Sequence, residues 1–147
     1  MIEILDGRKK KKILDSLAEY GIEKPRYLFI QSGKQKLRIF SGELGKDKLF
    51  SLLKMLKVET IGLYLGSLNN GLRLSIDACH IFAKDIKKKI IEITEDETQE
   101  WFYGSDIIKK ISEEGFVVLK NHDFLGCGKA ARGRIINFLP KERRIKK

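Results

Sequence analysis

The stretch "FVVLKNHDFLGCGKAARGRIINF", Phe116 to Phe138, decides how the second half of the chain is read. Two apolar runs, "FVVLK" and "FLGCGKA", flank the turn-forming "NHD", and "RIINF" follows before Pro140, which predicts three short strands. Within it, "LGCGKAARGR" (Leu125 to Arg134) admits another meaning, because Gly126, Gly128 and Ala131 match the G-x-G-x-x-G/A turn of dinucleotide-binding enzymes. That turn needs a helix behind it and an acidic ribose ligand about 20 residues on. Only thirteen residues follow Arg134, Glu142 is their sole acid, and Pro140 breaks any crossover helix. A P-loop fits no better, since Lys129 is followed by Ala130 instead of Ser or Thr and its first glycine would have to stand at Asp123. No nucleotide cofactor is therefore expected. The other meaning is a tight turn feeding a basic strand that grips a polyanion.

Charge points the same way. Thirty Lys and Arg against twenty Asp and Glu give the 147-residue chain a net charge of +10. Residues 129 to 147 hold eight basic side chains and one acid, so +7 of that charge sits in the last nineteen residues. Such a footprint suits nucleic acid. No apolar run approaches the roughly 18 residues of a spanning helix, and "MIEILDGRKKKK" lacks a signal peptide's apolar stretch, so no membrane anchoring and a cytoplasmic location are expected. The two cysteines have no CxxC spacing, which suggests neither a zinc site nor a disulfide framework. Cys79 reads as a small buried hydrophobe beside a satisfied His80.

The first half reads as a small α/β unit. Ile13, Leu14, Leu17 and Ala18 recur at helical spacing before Gly21, which ends the helix. "RYLFI" and "KLRIF" are strands joined through Gly33, and "DKLFSLLKMLK" is a helix behind an Asp47 cap with Leu49, Leu52, Leu53 and Leu56 as its apolar stripe. "ETIGLYLGSLNNGLRLSIDACHIFA" is a hairpin about a two-residue Asn70-Gly71 turn. The charged "AKDIKKK" then marks a boundary, dividing the chain into residues 1–86 and 87–147. In the second unit "KIIEI" is a strand, and "EDETQEWFYG" is a helix with acids in its first turn, broken by Gly104. "DIIKKISEEG" is expected as another helix, capped by Ser105 and ended by Gly115. The fold class is thus α/β in the broad α+β sense: a small N-terminal α/β domain, then a compact β-barrel-like binding module.

"EWFYGSDIIKK" followed by "FVVLKNHDFLGCGKAA" resembles the PUA domain, an RNA-binding module named after pseudouridine synthases and archaeosine transglycosylases. "IGLYLGSLNNGLRLSIDACHIFA" before it looks like the pre-PUA domain of the Nip-seven family of ribosome-assembly factors. The resemblance implies a noncatalytic protein of ribosome biogenesis that binds RNA, rRNA above all, through its C-terminal domain. It implies ribosome-assembly proteins as partners of the N-terminal domain, and neither a cofactor nor a small-molecule substrate. Tyr103 and Gly104 fall in the family's helix-opening motif, and Gly126, Gly128 and Ala130 in its glycine strand. Arg132, Arg134, Lys141, Arg143 and Arg144 fall where the family places RNA-contacting charge.

The residues suit that task on chemical grounds. Glycines at 126 and 128 leave room for a phosphate or ribose, and Lys129, Arg132 and Arg134 follow on or near a strand whose alternation puts both arginines on one face. Arginine's planar fork pairs with phosphate oxygens and stacks on bases. Trp101, Tyr103 and Phe138 are candidate stacking platforms, with core packing as the competing role. The run Arg8 to Lys12 opens the first helix, where cations oppose the macrodipole, and reads either as a solvated face or as a second phosphate contact. Two alternatives stand beside this reading: an RNA-modification enzyme or a piece of one, with Asp77 or Asp106 as its catalytic aspartate, and an adaptor whose basic tail docks on an acidic protein.

Overall fold

The computed structural model describes residues 2–23, 25–40, 46–55 and 62–146, side chains at 50 and 52–55 excepted. Its first sheet has five strands in sequential antiparallel order: β1 (Ile2–Ile4), β2 (Leu28–Ser32), β3 (Lys36–Phe40), β4 (Leu63–Leu68) and β5 (Leu72–Leu74). Helix α1 (Gly7–Ala18) buries Ile13 and Leu17, two of the residues whose spacing predicts it, and ends where Gly21 turns with φ +90°. Helix α2 spans Lys46–Met55, so Asp47 lies in its first turn and not at the cap. Leu49 of the expected stripe is fully buried, while the side chains of Leu52 and Leu53, and Leu56 altogether, lie outside the described residues. Asn70 and Gly71 both adopt positive φ as expected, but Leu68 pairs with Leu72, so the loop holds three residues and not two. A short helix, α3 (Ile76–Ile81), follows, its N-terminus capped by the Ser75 hydroxyl.

The second sheet runs β6 (Ile90–Glu92), β8 (Gly115–Asn121), β9 (Asp123–Ala131), β10 (Arg134–Asn137), β7 (Ile107–Ile108), and curls into a half-barrel. Among the described residues, the β6–β8 pair alone is parallel. Helix α4 (Glu95–Phe102) precedes β7, and a single 3₁₀ turn (Lys141–Arg143) leads into the tail. The helix expected from Asp106 to Gly115 does not form. Its two isoleucines make β7 instead, because Ile107 pairs with buried Ile135 of β10, and tertiary pairing overrides the cap-like Ser105.

One core joins the two sheets. Val118, Phe124 and Cys127 of β8 and β9 belong to the same buried cluster as Leu17, Tyr20, Ala78 and Phe82 of the first unit. Residues 83–89, where the charged composition predicts a boundary, are tied into it: Ile86 is buried, and Lys87 and Lys88 donate their amides to the Tyr20 carbonyl at 2.9 and 3.1 Å. The Tyr20 hydroxyl donates to the Leu72 carbonyl. Cys79 and Cys127 lie buried beside it, and a hydrogen bond to Cys127 together with burial pushes the Cys79 thiol up, keeping it protonated. His80 bonds through Nε2 to the Phe124 carbonyl at 2.8 Å. A second cluster gathers Trp101, Ile107, Val117, Leu119, Leu125, Ala130, Ile135 and Leu139 on the other face of the half-barrel.

Helix α4 is fixed by a capping box: the Glu97 amide donates to the Thr94 hydroxyl at 3.1 Å, and the Glu97 carboxylate accepts the Thr94 amide at 2.9 Å. Burial alone would raise the Glu97 pKa, but the Thr94 amide and the Lys109 ammonium, at 3.1 Å, outweigh it and hold the group below its ordinary 4.5. A depressed folded-state pKa contributes stability that is complete above about pH 4.5 and lost as pH falls through the folded value. Thr94→Ala is expected to cost about 0.5–2 kcal/mol at neutral pH. Lys109→Met should lose less stability than wild type between pH 5 and pH 3, in urea unfolding followed by circular dichroism; equal acid sensitivity would remove Lys109 from the account.

Candidate nucleic-acid interface

The β9–β10 hairpin carries the basic residues of the glycine stretch. Ala131 pairs with Arg134, leaving Arg132 (φ +50°) and Gly133 (φ +78°) as its two-residue turn. Arg132 therefore sits at the hairpin tip and does not share a strand face with Arg134, as alternation along an unbroken strand would require. Ala130 and Ile135, a cross-strand pair, are buried in the second cluster. Lys129 and Arg134 consequently lie on the opposite face of the hairpin. Arg134 approaches Asp106 at 3.7 Å. Lys129, Arg132 and Lys141 form no ion pair among the described residues, and Arg132 and Lys141 are exposed.

The glycines of that stretch serve the core. Gly126 and Gly128 are both buried, and the Trp101 ring lies against them. A Cβ on Gly128 would stand 2.4 Å from Ile135 Cγ2, 2.9 Å from the Ile136 carbonyl oxygen and 3.3 Å from Trp101 Cη2. At Gly128 the space that a phosphate was expected to use is taken by Ile135, the Ile136 carbonyl and the Trp101 ring. That indole is fully buried, donates Nε1–H to the Leu125 carbonyl at 2.9 Å, and so takes the core role among its two candidate roles.

Tyr103 and Gly104 close helix α4 instead of opening one. The Tyr103 amide bonds back to the Gln99 carbonyl, and its hydroxyl accepts from Gln99 Nε2 at 3.1 Å. Gly104 turns with φ +90° beneath the Arg144 side chain, whose Cδ would lie 2.7 Å from an added Cβ. Arg144 also donates Nε–H to the Leu139 carbonyl at 2.9 Å, and the Ile145 amide donates to the Phe102 carbonyl at 2.8 Å. Arg143 holds both Asp77 carboxylate oxygens through Nη2 at 2.9 Å. Arg143 and Arg144 thus pin the tail to the body, a role the spacing of basic residues does not reveal. Asp106 likewise accepts the Asn137 amide at 2.9 Å. At the far end of the chain, α1 is capped by the Asp6 carboxylate and, of its basic run, Lys9 pairs with Glu3 at 2.9 Å.

A second set of residues emerges only from the fold. The Arg38 guanidinium lies 5.9 Å from the Tyr64 ring centroid, and Arg73 lies 4.9 Å from that of Phe138. Phe138 meets Phe116 edge to face with centroids 6.0 Å apart, and Phe116 pairs across strands with Lys129. Arginine, aromatic and lysine side chains therefore follow one another from the first sheet to the basic hairpin. The interleaving of cation and ring is the chemistry of single-stranded nucleic-acid binding.

Residues 88–145 match the protein family described as "Methyltransferase RsmF PUA domain". The second unit is PUA-like. Among curated proteins no relative matches the chain. The PUA-like domain begins just before β6 and takes in the whole half-barrel and the tail as far as Ile145. Among the described residues, no helix is long and apolar enough to cross a membrane.

Proposed function

We propose that the protein is a noncatalytic RNA-binding factor of ribosome biogenesis, working in the cytoplasm, with rRNA as its ligand. In this reading the PUA-like domain, residues 87–147, holds the RNA, and residues 1–86 form the domain that docks ribosome-assembly proteins. The observation that carries it is the basic hairpin, with Lys129 and Arg134 on the face turned away from the second cluster and Arg132 at the tip, in a domain that matches a PUA model, PUA being an RNA-binding module. A second reading comes from the same match, whose description is of a methyltransferase: an RNA-modification component.

Titration of labelled single-stranded rRNA fragments, and of DNA of the same sequence, tests the proposal over a range of salt. Log affinity is expected to fall with log salt by roughly 0.7 per phosphate contact on a single strand. The variant Lys129→Glu, Arg132→Glu, Arg134→Glu, Lys141→Glu should bind weakly with a slope shallower by up to about 3. Arg143 and Arg144 are left intact because their loss would loosen the tail. RNA should be preferred over DNA through 2′-hydroxyl contacts. Equal binding by wild type and variant would sink the hairpin's role, and methyl transfer or uridine isomerisation on the same RNA would replace this proposal with the second reading.

A further inference from the structure

Where the two sheets meet, a cavity of about 160 Å³ opens to solvent. Tyr64, Arg73 and Asp77 of the first unit and Phe138 and Arg143 of the second line it, above a floor that includes Trp101. It is smaller than the roughly 300–1,000 Å³ of sites that enclose a drug-sized ligand, so it suits one planar ring system and not an extended molecule. Phe138 is 36% exposed, and Phe116 steadies it from the edge. Arg73 lies over its ring and forms no ion pair among the described residues, so the guanidinium is left to a ligand. Arg143, fixed by Asp77, adds a second cation at the rim. A guanidinium carbon 4.9 Å from an aromatic centroid makes a cation–aromatic pair against which a nucleobase can stack.

We propose that this junction cavity takes a single unpaired nucleotide of the bound RNA, its base stacking against the Phe138–Arg73 pair and its backbone leading past Phe116 and Lys129 to the basic hairpin. The inference rests on the RNA-binding reading and adds to it a preference for RNA with a base out of its helix. A paired base is held in its own stack and cannot enter. Both units must contribute for the cavity to exist.

Two RNA hairpins of equal stem length test it, one fully paired and one with a single bulged 2-aminopurine, titrated against the full chain. The bulged RNA is expected to bind about tenfold more tightly, within the range that base–aromatic stacking supplies, and its fluorescence to change on binding. Phe138→Ala and, separately, Arg73→Gln should each bring the bulged RNA down to the affinity of the paired one, while Phe138→Tyr retains the preference. Circular dichroism melting checks that each variant is folded, and Arg73→Gln keeps the test open if Phe138→Ala is not. Equal affinity of wild type for the two RNAs, or a preference that survives both Phe138→Ala and Arg73→Gln, would overturn the cavity while leaving RNA binding intact. Failure of wild type to bind either RNA would overturn the RNA-binding reading itself and the cavity with it.

Discussion

Trp101→Ala is expected to lower the free energy of unfolding by about 3–5 kcal/mol, the cost of removing a large buried aromatic. Against a typical total of about 5–15 kcal/mol, that is enough to leave much of the population unfolded. The chain has one tryptophan, and its ring is fully buried. Its loss would open a void beside Gly128 and leave the Leu125 carbonyl without the Nε1–H donor at 2.9 Å. It would also disturb the segment where Asn137 Nδ2 donates to the Trp101 carbonyl at 2.8 Å and to that of Ser105 at 2.9 Å. Because the core is shared between the sheets, a single urea transition, followed by far-ultraviolet circular dichroism, should shift as a whole. A change below about 1.5 kcal/mol would mean that the second cluster is not organised around this ring.

Gly128→Ala is the second large effect. An added Cβ falls 2.4 Å from Ile135 Cγ2 and 2.9 Å from the Ile136 carbonyl oxygen, and the second of these is backbone within a paired strand. Overpacking of this kind costs about 1–3 kcal/mol, and the fixed carbonyl places this case at the upper end. Pairing the change with Ile135→Ala should recover part of the loss, giving a coupling that denaturant unfolding of the four proteins in the cycle would measure. The same variant separates two roles for the glycine. If Gly128 is there for Trp101 and Ile135, the fraction that remains folded binds RNA with wild-type affinity. Undiminished stability with lost RNA binding would restore the expectation that a phosphate comes close at this glycine.

Much of the fold was legible because its signals are local. The three strands around "NHD" follow from apolar runs and turn residues, and helix α4 from its acids and Gly104. Strand β7 was not legible. Ser105, Asp106 and the charged residues after Ile108 carry a helix-start signature, and only pairing with β10, nearly thirty residues on, makes Ile107 a strand residue. The candidate site divides the same way. The basic hairpin could be read from its spacing, except that Arg132 is in the turn. The glycine pair was visible as a motif, but the neighbours that crowd it, Ile76 at Gly126, Ile135 at Gly128 and Trp101 at both, come from elsewhere in the chain. Arg73 and Phe138 are 65 positions apart, and Arg143 reaches Asp77 across 66, so neither the cation-aromatic series nor the tail anchors have any local signature.

The shared core also bears on modularity. Lifted out of this chain and grafted elsewhere, residues 87–147 would carry Val118, Phe124 and Cys127 without the α3 and β5 residues packed against their strands. The exposed patch would favour self-association, so this half-barrel is ill suited to service as a portable cassette. Any duplication or fusion that reused it would have to bring its own lid or supply one from the new host.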